Sequence, residues 1–136
     1  MARETKRATV IWQQGLRFTG GEPGGPAITV DGNNLMGPGP MLTLLLAAAT
    51  CSGSDVVVIL EKMRVNLRGL RIEVAGTRRE EEPRRYVAIH LDYHLGGEGI
   101  DLVKARRAID LSLEKYCSVI HSLAPDIAVT YALSLD

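Results

Sequence analysis

The chain has 136 residues, 46% of them hydrophobic, and its sixteen Lys and Arg side chains balance sixteen Asp and Glu. That length predicts a single domain over residues 1–136, and the cancelled charge leaves no overall field aimed at nucleic acid, an anionic membrane or an acidic partner. Residues 1–7 lack the apolar core of a signal peptide, so the expected location is cytoplasmic, where two cysteines outside any Cys-x-x-Cys pair are not expected to form a permanent structural bridge.

Ala8 to Trp12 is a short β-prone run, Gln13-Gln14-Gly15 reads as a turn, and Leu16-Arg17-Phe18-Thr19 as a second strand. Gly20 to Pro26 is loop by composition. Ala27 to Val30 makes a third strand, closed by the turn signal Asp31-Gly32-Asn33-Asn34. Gly37-Pro38-Gly39-Pro40 then leads into the element around which the chain is organised, a single long helix predicted from Gly39-Pro40 through Met63-Arg64, with Pro40 tolerated in its first turn. Met41 to Ala49 is apolar apart from Thr43, and Val56 to Leu60 is apolar again. Such a helix must be covered on every side; at about 1.5 Å per residue it runs roughly 36 Å. Crossing a membrane would set Asp55 and the polar cluster Thr50 to Ser54 at its middle, where such groups are costly. The expectation is therefore a core helix, with no membrane partner.

Past Arg64 the helix pattern ends near Asn66 and Gly69. Leu70, Ile72 and Val74 alternate with Arg71, Glu73 and Ala75 as in a half-buried strand, and Gly76 to Arg85 is a charged connection. Val87, Ile89, Leu91, Tyr93 and Leu95 alternate with Ala88, His90, Asp92 and His94, completing a β-hairpin with a charged tip. Asp101 is a good N-cap for a second helix, whose apolar stripe Leu102, Ala105, Ile109, Leu113, Tyr116, Ile120 and Leu123 continues for about six turns until Pro125, with Cys117 at its edge. Ile127, Val129, Tyr131, Leu133 and Leu135 form a closing strand. The order βββ-α-ββ-α-β defines an α+β fold. One six-stranded sheet and one amphipathic helix leave part of the apolar helix uncovered, which predicts an obligate homodimer.

Cys51, near the middle of the long helix, is the one plausible nucleophile. Free cysteine is also a small core hydrophobe, so the two thiols are either inert or a redox pair. A buried thiol has a raised pKa, and Cys51 lies about ten residues beyond Pro40, outside the reach of the helix dipole; reactivity would need a nearby cation. Asp55, one turn on, would oppose a thiolate unless it pairs with an arginine or caps a backbone group where Gly53 loosens the helix. His121, one turn after Cys117, is a surface residue or a cation lowering that thiol's pKa. His90 and His94 share one strand face without an evident third ligand, so no metal is expected. No phosphate loop, nucleophile elbow or nucleic-acid platform occurs, and no cofactor is expected.

The element order, the spacing from Pro40 to Cys51 on an apolar helix, the phrase Cys51-Ser52-Gly53-Ser54-Asp55-Val56-Val57-Val58-Ile59-Leu60 and above all Ala108-Ile109-Asp110-Leu111-Ser112-Leu113-Glu114-Lys115-Tyr116-Cys117-Ser118-Val119 resemble the OsmC/Ohr family. The hairpin Arg78-Arg79-Glu80-Glu81-Glu82-Pro83-Arg84 is similar to that of a bacterial, uncharacterised OsmC-like branch. The resemblance covers nearly the whole chain and implies an intertwined homodimer, its two long helices lying between sheets from both subunits, with an active site at each side of the interface. It implies reduction of organic hydroperoxides, with Cys51 as the peroxide-attacking cysteine, Cys117 as the resolving cysteine, and a dithiol such as a lipoyl protein as reductant.

In peroxidase members of that family an N-terminal arginine stabilises the thiolate, held by a glutamate just after the proline that matches Pro40. Arg17 is the candidate arginine here, with a surface role as its alternative. Met41 and Leu42 occupy the positions of that carboxylate, and Cys117-Ser118 replaces the family's common Cys-Pro. Arg78 and Arg79 read as a solvated, self-paired charge run or as groups reaching a partner's site. The alternative function is a catalytically weak OsmC-like dimer that binds a small apolar ligand or senses oxidation through the thiol pair.

Overall fold

The computed structural model describes residues 2–136, which fall into two compact units, one running up to Leu44 and the other Leu45–Asp136. In the first, β1 (Thr9–Gln14), β2 (Arg17–Gly21) and β3 (Ala27–Asp31) form an antiparallel sheet in that order. Strand β1 runs to Gln14, beyond the predicted Trp12. An irregularity between Trp12 and Gln14 absorbs the expected turn residues, and Gly15, at φ 52°, makes the reversal that an L side chain resists. At the far end the Asp31 carboxylate accepts the Asn33 and Met36 N–H groups at 2.9 and 3.1 Å, an Asx-type closure.

Helix α1 (Pro40–Lys62) is continuous through Gly53, so that glycine does not loosen it. In the second unit its buried stripe, Leu45, Ala48, Ala49, Ser52, Gly53, Val56 and Leu60, recurs at three and four residues. The stripe lies on a sheet of β4 (Asn66–Arg78), β5 (Tyr86–Glu98) and β6 (Ala128–Leu135). Strands β4 and β5 form the expected hairpin, whereas β5 and β6 are parallel and need a crossover, supplied by the second helical segment. Leu91, Tyr93 and Leu95 are fully buried on the face toward α1. A methyl group added at Gly53 would come within 3.2 Å of Ile72 Cδ1, which shows how closely the helix lies on the sheet.

The structure corrects two expectations. The strands form two three-stranded sheets instead of one of six; alternation identifies strands but carries no information about their partners. As the sequence anticipates, one chain leaves part of α1 uncovered, with Leu46 44% exposed and Val57 and Val58 also open. By length and composition alone, at a mean hydropathy of 1.8, it could cross a membrane. The second helix is not continuous. Helix α2 (Leu102–Leu111), capped by Asp101 through the Lys104 N–H at 2.8 Å, passes into a π-helical turn, Ser112–Tyr116, then breaks at Cys117 (φ −71°, ψ 97°) before the short α3 (Ser118–Ser122).

The π turn is closed by the Cys117 N–H donating to the Ser112 carbonyl at 2.7 Å, five residues back. It holds one residue more than an α turn, and so shifts the phase of the next residues by about 100°. Tyr116 is consequently 49% exposed despite its place in the stripe, and Cys117 is fully buried.

The two N–H groups on Asp31 hold its carboxyl below the usual value of 3.8, with Arg17 across the strand pair a smaller contributor. A depressed folded-state pKa gives stability that is present above the unfolded value and lost as pH falls through the folded one. Urea midpoints of wild type and Asp31→Asn are expected to differ at neutral pH and to converge below about pH 4.

Candidate functional site: two thiols over a buried hydroxyl cluster

Cys51 is half-buried on α1 and Cys117 is fully buried at the helix break; both are free thiols. The break turns Cys117 toward α1, where its Sγ lies 3.9 Å from the Ala48 carbonyl, three residues before Cys51 on the same helix. Burial pushes the Cys117 thiol from 9.0 up to about 11; the Ile120 N–H offsets part of this, and Cys51 and then the Asp55 carboxylate add to it. Cys117 is therefore protonated at neutral pH.

Beside the thiols is a polar cluster that hydrophobic periodicity did not reveal. Ser112 Oγ lies 2.8 Å from Ser52 Oγ and donates to Asp55 Oδ2 at 2.9 Å, and Ser52 Oγ lies 2.6 Å from the Tyr93 hydroxyl. Ser52, Ser112 and Tyr93 are fully buried. Burial raises the Tyr93 pKa to about 12, more than the Ser52 contact lowers it, so the phenol keeps its proton. Asp55 receives a serine hydroxyl from the π turn, a partner other than the arginine or backbone group that the sequence suggests. The signal was in the sequence: a serine inside each of two buried stripes needs a hydrogen-bond partner.

Arg17 belongs to the other unit. It is half-buried on β2, opposite Asp31 in register, and lines a pocket of about 350 Å³ with Gln14, Asn33 and Met36.

The family model described as OsmC-like protein matches residues 31–132, which include both cysteines and the whole hydroxyl cluster. The chain belongs to the OsmC-like family. Protein YhfA of Escherichia coli K12 is 39% identical over 127 residues, covering 93% of this chain and 95% of that protein. The crystal structure of a hypothetical protein from Aquifex aeolicus VF5 superposes with a TM-score of 0.87 at 30% identity, over 98% of each chain. The organic hydroperoxide resistance protein OhrB of Bacillus subtilis shares the fold, with a TM-score of 0.63 at 14% identity over 96% of this chain and 98% of its own.

Other expectations for this OsmC-like chain resolve differently. In the charged tip, Arg78 donates to the Arg84 carbonyl and Arg79 to the Pro83 carbonyl, each at 2.7 Å, and Arg85 pairs with Asp126. The Arg78 and Arg79 guanidiniums therefore fasten loop backbone, a partner that a charge count overlooks. His121 is exposed, with its Nε2 3.1 Å from the Leu113 carbonyl. His94 has the neighbours the sequence did not suggest: Asp92 and Glu73 offer oxygens at 3.3 and 4.0 Å from its Nε2. Glu73 reaches the cluster because it pairs with Asp92 across the β4–β5 ladder, and it also holds Arg71 at 2.7 Å. His90 instead meets Thr130. By strand alternation this group faces away from Tyr93 and the thiols.

Burial, which pushes the Cys117 thiol up to about 11, keeps it in the unreactive thiol form at pH 7. Iodoacetamide at pH 7 is expected to modify Cys51 first in the native protein, with Cys117 labelling rising steadily toward pH 10; peptide mapping of a quenched time course separates the two sites.

Proposed function

We propose that this protein is a cytoplasmic, homodimeric, single-domain thiol peroxidase that reduces organic hydroperoxides. The observation that carries this reading is the placement of a buried Cys117, its Sγ 3.9 Å from the Ala48 carbonyl, one turn along α1 from a half-exposed Cys51. The Cys51 thiolate attacks the terminal peroxide oxygen, the O–O bond breaks, and the alkoxide leaves and takes a proton to become an alcohol, so that Cys51 becomes a sulfenic acid. The Cys117 thiol then displaces hydroxide from the sulfenic sulfur, its proton completing a water molecule, and a Cys51–Cys117 disulfide forms. A dithiol, of the lipoyl type that the family resemblance implies, exchanges with that disulfide and restores both thiols.

Arg17 is proposed as the cation that favours the Cys51 thiolate. The dimer is supported by the uncovered apolar row Leu42, Leu46, Val57 and Val58 on α1, whose burial against a second copy would remove it from water. A second reading is favoured by Met41 and Leu42 standing where the peroxidase glutamate is expected, together with an apolar cleft of about 580 Å³ between α1 and β4. In that reading the dimer binds a small apolar ligand, or senses oxidation, and turns over slowly.

Consumption of cumene hydroperoxide in the presence of dihydrolipoamide decides between them. Under the peroxidase reading Cys51→Ser loses at least about a hundredfold in rate, the scale of removing an activated nucleophile. Cys117→Ser would still be oxidised once at Cys51, then stall and over-oxidise. Wild type no faster than Cys51→Ser would leave the ligand-binding reading in its place.

A further inference from the structure

We propose that Tyr93, Ser52 and Ser112, ending on Asp55, form a positioning latch that holds Cys117 against Cys51 and so sets the rate of the disulfide-forming step. The inference rests on the thiol pair of the peroxidase reading, but it concerns residues outside the thiols and the activating cation.

The cluster ends on one acceptor, the Asp55 carboxylate. A carboxylate can only accept, and each hydroxyl has one proton to give. Ser112 is the donor in both of its side-chain contacts, its one proton shared between Asp55 Oδ2 at 2.9 Å and Ser52 Oγ at 2.8 Å, and Ser52 Oγ lies 2.6 Å from the Tyr93 hydroxyl, where either oxygen can donate. These contacts run from Tyr93 through Ser52 and Ser112 to Asp55 and tie β5, α1 and the π turn together. All three hydroxyls are fully buried, so losing a member strands its neighbours without water to replace it.

Ser112 is where this chain meets the thiol. Its side chain is the middle link, and its carbonyl accepts the Cys117 N–H at 2.7 Å, the hydrogen bond that makes the turn π-helical. Side chain and main chain of one residue thus fix both the depth of the turn against α1 and the direction in which Cys117 leaves it. Were the latch released, the segment would be free to relax toward an α turn, which moves Cys117 by about 100° around the helix axis and away from Cys51. Cys51 lies on α1 itself and does not depend on the turn. The latch should therefore act on the second chemical step and leave the first alone.

The test measures both steps separately in Ser112→Ala, with Ser112→Thr as the conservative rescue and Tyr93→Phe as a milder lesion at the far end. After rapid mixing with cumene hydroperoxide, sulfenic acid at Cys51 is trapped with dimedone and the disulfide is quantified by mass spectrometry. Ser112→Ala is expected to form sulfenic acid within about twofold of the wild-type rate while its disulfide forms about tenfold or more slowly, the size expected from one lost buried hydrogen bond. Dimedone adduct should accumulate accordingly, Ser112→Thr should recover most of the rate, and Tyr93→Phe should fall between.

Equal slowing of both steps, or no slowing of the second, would overturn the proposal. A parallel oxidation with diamide, which couples the two thiols without any peroxide, reads the latch even if cumene hydroperoxide leaves the wild type untouched. Slower Cys51–Cys117 bond formation by diamide in Ser112→Ala supports the latch on its own, and an unchanged rate refutes it.

Discussion

The site depends on how closely the second helical segment lies against α1. The Cys117 sulfur is 3.9 Å from the Ala48 carbonyl and the Ser112 hydroxyl 3.5 Å from the Ser52 carbonyl, contacts to main-chain atoms that only small side chains allow. Ala48 and Ser52 supply them. A branched residue at Ala48 or Ser52 would push the π turn outward, since an interior at crystal density has no slack to absorb the extra volume. The same closeness forbids water, so the two serines must satisfy each other, and the carboxylate of Asp55 at the end of their chain becomes a structural requirement.

Packing of this kind also divides the two thiols electrostatically. Cys117, taken out of water and placed near Asp55, is held as a thiol, while Cys51 stays half-exposed on the flank of α1. In the proposed cycle that asymmetry assigns the roles, because the group that meets peroxide must be reachable and the group that resolves must wait in the reduced form. The uncovered face of α1 fits the same scheme if a second copy supplies the missing cover.

Much of the architecture was legible in the sequence, and its gaps have physical causes. The apolar run from Met41 and the alternation of Val87 to Leu95 identify α1 and β5 because one buried face imposes a fixed period. The phrase around Cys117 carries the family resemblance. The break at Cys117 was invisible because Ile120 and Leu123 continue the three-and-four spacing of Ile109 and Leu113, and a π turn alters phase without altering composition. Sheet membership was likewise hidden: nothing in β3 or β4 states that they belong to different ladders. The hydroxyl cluster joins residues distant in sequence, and a lone serine in an apolar stripe names no partner.

Every step of the proposed cycle requires that Cys51 and Cys117 of one chain be a working redox pair. That requirement is checked by treating the fully reduced protein with one equivalent of cumene hydroperoxide, quenching with an alkylating agent, and mapping the cysteines by non-reducing peptide mass spectrometry. A Cys51–Cys117 disulfide within the chain is expected as the dominant product. Two alkylated thiols after treatment, or a Cys51 driven to sulfinic acid beside an alkylated Cys117, would contradict it.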